Sequence, residues 1–70
     1  MKLSWKARKE IYAPDMKQSE IAEAISEDSF KVTREDLNRV MNGKAANTPR
    51  NNRIRVLLDR FFSEKEKGVR

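Results

Sequence analysis

The stretch at residues 32–43, V-T-R-E-D-L-N-R-V-M-N-G, constrains this chain more than any other. Thr33 and Asp36 stand at the spacing of a capping box, in which each side chain satisfies the other residue's free backbone amide. Asn42-Gly43 supplies a stop, because glycine readily takes the left-handed conformation that ends a helix. Between these marks Leu37, Val40 and Met41 fall at i, i+3 and i+4 and form one apolar face. A helix over 33–42 must bury that face. Arg34, Glu35, Asn38 and Arg39 are then left on the other. Arginine and asparagine can each make two hydrogen bonds to a base edge, to guanine and to adenine respectively. An ordinary amphipathic helix with a solvated polar face would show the same pattern, so the rest of the chain has to decide.

Three further helices are expected around it. Ser4 caps the first, over 4–12, which carries Trp5, Ile11 and Tyr12 and is stopped by Pro14. Trp5 is the single tryptophan and reads as a plug for a small core rather than a stacking surface. Asp15 with Gln18 three residues on reads as a second capping box, opening a helix over 16–26. Its apolar stripe is Ile21, Ala22 and Ile25, and the small Ala22 allows close crossing by another helix. Thr48-Pro49 opens the last helix, over 49–63, with Ile54, Leu57, Leu58 and Phe61 as its buried stripe. Residues 64–70 are charged and are expected to fray. Val56 and Phe62 lie off the stripe. Either they make a two-fold dimer contact, or Phe62 closes the bundle end against Trp5 or Tyr12.

Seventy residues make one all-α domain, a four-helix bundle with five helices as the alternative. At this size only about 60% of the chain's surface can be buried, so the core has to be small. Its expected members are Ile11, Ile21, Ala22, Ile25, Val32, Leu37, Val40, Ile54, Leu57, Leu58 and Phe61. The chain has neither cysteine nor histidine. Disulfides, thiolate chemistry and the commonest metal ligand and general base are thereby absent, and no catalytic constellation remains. We expect no enzyme activity, no cofactor, no metal and no small-molecule ligand. No apolar run has the length of a membrane span, so a cytoplasmic location is expected.

The net charge is +5 and its distribution is uneven. Between Leu37 and Leu58 there is no acidic residue, while Arg39, Lys44, Arg50, Arg53 and Arg55 contribute five positive charges. Residues 1–36 hold seven basic and eight acidic residues, close to neutral. The positive field is expected on the second half of the 33–42 helix and on the residues that come after it. A polyanion is the natural partner.

The order Q-S-E-I-A-E-A-I (18–25), then V-T-R-E-D-L-N-R-V-M-N-G-K (32–44), then P-R (49–50), resembles the lambda-repressor-like helix-turn-helix family. That family includes the phage Cro and repressor proteins and the XRE-type regulators. The resemblance covers about residues 16–58. It departs in the turn, where six residues, S-E-D-S-F-K, separate Ile25 from Val32 with no glycine; the family's usual turn is about four residues, often through a glycine.

The resemblance implies a transcriptional regulator of Cro or repressor type, phage- or mobile-element-derived, that binds double-stranded DNA. It implies that Gln18 and Ser19 face a phosphate, and that Thr33, Arg34, Glu35, Asn38 and Arg39 enter the major groove. Asn42, Lys44, Arg50 and Asn51 would then contact the backbone and fix register. Glu35 would accept from cytosine or pair with Arg39 one turn on. Arg53 and Arg55 would either add to the field or sit solvated. A homodimer on DNA is one expected assembly and a lone domain the other. The competing function is a small basic interaction module, antitoxin- or inhibitor-like, that binds an acidic protein.

Overall fold

A computed structural model describes residues 3–68. Within them the chain forms α1 (Trp5–Tyr12), α2 (Gln18–Ile25), α3 (Arg34–Met41) and α4 (Pro49–Gly68). Among the described residues there is no strand, and no helix is long and apolar enough to cross a membrane. The molecule measures 33 × 28 × 17 Å. α4 is its spine: α1, α2 and α3 all pack on it, and α2 and α3 pack on each other.

The caps explain most of the boundaries. Ser4 Oγ accepts the amide of Ala7 at 3.1 Å and Thr48 Oγ1 accepts that of Asn51 at 3.2 Å. At α3 both halves of the capping box are made, Asp36 N–H to Thr33 Oγ1 at 3.1 Å and Thr33 N–H to Asp36 Oδ2 at 3.3 Å. Gly43 takes φ 72° after α3, the conformation that glycine alone adopts without strain. Its amide then reaches Val40 O at 3.1 Å, and that of Lys44 reaches Arg39 O at 2.9 Å. These two bonds are the pair that closes a Schellman turn.

α2 starts later than expected. Asp15 is not its cap: Met16 N–H bonds back to Ala13 O at 3.2 Å, so a separate turn precedes the helix. Lys17 takes the N-cap position and Gln18 is the first helical residue. Glu20, three residues after Lys17, accepts the Lys17 amide through Oε1 at 2.8 Å. The helix registers on that carboxylate instead of on Asp15.

The long connection from α2 to α3 folds up on itself. Glu27 and Phe30 exchange backbone hydrogen bonds of 2.8 and 3.1 Å, leaving Asp28 and Ser29 at the tip. At its base Ser26 Oγ donates to Ala22 O at 2.7 Å and accepts the Val32 amide at 2.9 Å. The extra residues thus form a side excursion, and one serine ties the end of α2 directly to the entry of α3.

Ile21, Leu37, Val40, Ile54, Leu58 and Phe62 are completely buried, with Ala22, Ile25, Val32, Met41 and Leu57 around them. Two expected core members are corrected. Ile11 is 52% exposed, because α1 lies on α4 through Trp5, Arg8 and Tyr12 and Ile11 is rotated off that face. Phe62 takes the core position assigned to Phe61, continuing the line Ile54, Leu58, Phe62 at steps of four. Its ring meets Trp5 at 6.4 Å, so it closes the bundle end. Phe61 is half-buried, edge-on to Phe62 at 5.6 Å. Val56, the other off-stripe residue, stays 57% exposed.

The last helix runs past its expected end at residue 63. α4 continues through Gly68, where Lys65 and Lys67 in the last turn oppose the negative end of the helix dipole. Lys65 also lies over Phe61 at 5.4 Å. Val69 and Arg70 fall outside the described residues.

α1 runs antiparallel to the second half of α4, with Trp5 against Phe62 and Arg8 against Asp59 at 2.8 Å. The Arg8 guanidinium lies 5.2 Å from the centre of Trp5 and 5.3 Å from that of Phe62. Burial decides what each apolar residue contributes. Leu37→Ala is expected to cost about 2–5 kcal/mol and Phe62→Ala about 3–5 kcal/mol, while Ile11→Ala stays within about 0.5 kcal/mol. Urea titrations of the three variants check the order, and a loss at Ile11 equal to that at Phe62 would contradict this packing.

Candidate nucleic-acid interface

α3 turns Leu37, Val40 and Met41 into the core and leaves Arg34, Glu35, Asn38 and Arg39 in solvent. The expected outer face is therefore assembled on one helix, but its members are not equally free. Arg34 and Glu35 form no ion pair among the described residues and flank, with Thr33, a shallow depression at the start of the helix. Asn38 Oδ1 accepts from Asn42 Nδ2 at 3.1 Å, one turn on. The pairing of Glu35 with Arg39, one of the two roles open to Glu35, is not made. Arg39 instead donates to Asp36 Oδ1 at 2.9 Å and keeps 60% of its side chain exposed.

Asp36 is the one buried charged residue among those described, its side chain 11% exposed. Oδ2 accepts from Arg50 Nη2 at 2.8 Å and from the Thr33 amide, and Oδ1 accepts from Arg39. Burial alone would raise its pKa. The Arg50 guanidinium, the Thr33 backbone and hydroxyl, and Arg39 together outweigh that and hold it at about 2.

Arg50 is placed differently from a free phosphate contact. The same Nη2 donates to Lys31 O at 2.8 Å as well as to Asp36, and the guanidinium lies 5.0 Å from the centre of the Phe30 ring. Arg50 thus locks the start of α4 to the turn and to α3. Asn51 is engaged too, its Nδ2 donating to Ala46 O at 2.9 Å. Arg53 pairs with Glu27 at 2.6 Å, and Arg55 donates to Asn52 Oδ1 at 2.6 Å and to Ala45 O at 2.9 Å. Much of the positive charge between Leu37 and Leu58 is thus tied to carboxylates and carbonyls of the domain itself. Lys44, just past α3, stays exposed with no ion pair among the described residues.

Gln18 and Ser19 lie in a cleft that sequence reasoning did not foresee. It is an open groove bordered by α1, the head of α2 and α3 at Arg34 and Met41, and beside these two polar residues it gathers Lys6, Lys9, Lys17 and Arg34. Arg34 also lines the depression at the head of α3, so the two concavities meet at this residue. Lys6 and Lys9 are three apart and so share a face of α1, which is the one signal in the sequence that could have found them. Among the described residues no three His, Cys, Asp or Glu side chains are placed to hold a metal ion. Set against protein-family models, curated proteins and solved structures, the chain matches none.

The Asp36 cluster has a definite pH signature. Its folded pKa of about 2 lies below the usual carboxylate value of about 3.9, so the carboxylate form stabilises the fold. The contribution is fully present above about pH 4 and is lost as pH falls through about 2. With both arginines half in solvent, it amounts to about 1–2 kcal/mol. Asp36→Asn and Arg50→Ala are each expected to lower stability at pH 7 by about this much, with Asp36→Asn converging on the parent near pH 2. Denaturant titrations from pH 7 to pH 2 check this; a constant gap between Asp36→Asn and the parent would contradict it.

Proposed function

We propose that this chain is a helix-turn-helix protein that binds double-stranded DNA sequence-specifically, with α3 in the major groove and the first turn of α2 at the phosphates. The observation that carries the reading is the outer face of α3. It holds Arg34, Asn38 and Arg39 on a rigid helix whose other face is core, and it adjoins a cation-lined cleft. Arg34 is the strongest base-reading candidate, since no carboxylate of the described residues holds it. Arg39 keeps unused donors beyond its bond to Asp36. Lys44, at the far end of α3, is suited to a phosphate on the opposite wall of the groove. In keeping with the lambda-repressor-like resemblance, the role that fits is a transcriptional regulator of Cro or repressor type.

The groove readers and the backbone contacts differ measurably. Arg34→Ala and Arg39→Ala are each expected to cost about 1–3 kcal/mol on a preferred duplex and to relax preference at one base pair. Lys44→Ala weakens preferred and scrambled duplexes alike and flattens the log–log salt slope by about one unit. Fluorescence-anisotropy titrations of each variant on both duplexes at several salt concentrations measure this. Equal losses on both duplexes for all three variants would make the basic face a general polyanion surface. The protein-partner reading would then replace this one.

A further inference from the structure

The cleft between α1 and the heads of α2 and α3 has a charge balance that the fold alone does not require. Lys6 and Lys9 come from α1, Lys17 from the residue before α2, and Arg34 from the first residue of α3. Four cations from three elements thus line one concavity, and Glu10 is the only carboxylate among its lining residues. The four ion pairs of the described residues join Arg8, Arg39, Arg50 and Arg53 to acids elsewhere, and none involves a cation of the cleft. Like charges gathered without partners repel one another in the folded state, and a bound polyanion removes that repulsion. A duplex carries one negative charge per ~1.7 Å of its axis, in two strands that border the major groove. Arg34 belongs both to the cleft and to the head of α3, so a strand bordering the groove that α3 enters would pass into the cleft.

We propose that this cleft receives backbone phosphates of one DNA strand, and that Lys6 and Lys9 grip them from the α1 side. The proposal rests on the DNA-binding reading and extends the footprint to a helix outside the α2–α3 pair. The lysines add affinity without reading sequence, because phosphates are the same at every base pair.

The test removes charge while keeping the aliphatic stems. Lys6→Gln/Lys9→Gln is titrated on a preferred and a scrambled duplex across a salt series, beside Lys6→Arg/Lys9→Arg and Arg34→Ala. The glutamine pair is expected to lose the same factor of affinity on both duplexes and to flatten the salt slope by about one to two units. The arginine pair restores the parent slope, and circular dichroism shows both pairs folded, the arginine pair at the parent melting temperature and the glutamine pair at or above it, because its like-charge repulsion is relieved. A glutamine pair with the parent slope and affinity overturns the cleft proposal and leaves DNA binding by α3 standing. So does a loss confined to the preferred duplex, which would make the lysines base readers. Absence of salt-dependent binding by the parent protein to any duplex overturns the underlying reading, and the cleft proposal with it.

Discussion

The Asp36 carboxylate is where this small domain is joined together. It closes the N-terminal cap of α3 through Thr33, holds Arg39 on the outer face, and receives Arg50 from the first turn of α4. Arg50 extends the junction to Lys31 O and Phe30, and so to the connection between α2 and α3. An aspartate at an N-cap box ordinarily serves its own helix. Here the same two oxygens set the position of α3 against α4 and the turn. The charge partners of this carboxylate contribute about 1–2 kcal/mol, an appreciable fraction of what a domain of this size has in total.

That junction matters to function because it divides the basic residues into two kinds. Along the chain the positive charge looks concentrated after Leu37, with a nearly neutral first half. In space the division is different. Arg50, Arg53 and Arg55 are held by Asp36, Glu27 and backbone carbonyls, while Lys6, Lys9, Lys17 and Arg34 from the nominally neutral half share a cleft with one carboxylate. Net charge per segment misleads here, since an acid cancels a base only where it lies next to it. These four cations, without an ion pair among the described residues, therefore gather on α1 and the heads of α2 and α3, the surface that the DNA-binding proposal uses.

Local signals were legible in the sequence and long-range partners were not. Thr33 with Asp36, Asn42-Gly43 and Thr48-Pro49 act within one turn of themselves, and each cap or stop stands where its residue types place it. The apolar faces of α2 and α3 were equally plain, because each helix carries a single compact apolar stripe. Three misses share a cause. Phe62 takes the core place expected of Phe61 because α1 brings Trp5 across that end of α4; closure of that end by Phe62 was one of two readings open in the sequence, and nothing local to α4 chooses between them. Ile11 is exposed because its helix rests on Trp5, Arg8 and Tyr12. Arg50 meets Asp36 across 14 positions, a pairing that no helical spacing encodes. α2 is a different case: two acids, Asp15 and Glu20, competed to set its start, and Glu20 prevailed.

Selection of binding sites from a pool of random duplexes, with the intact chain at moderate salt, tests most directly whether α3 reads DNA. The expected result is enrichment of one short motif containing guanine or adenine at the positions facing Arg34, Asn38 and Arg39, and its weakening when Arg34 is alanine. Recovery of an unenriched pool, with duplexes retained only in proportion to low salt, would contradict base reading by this helix.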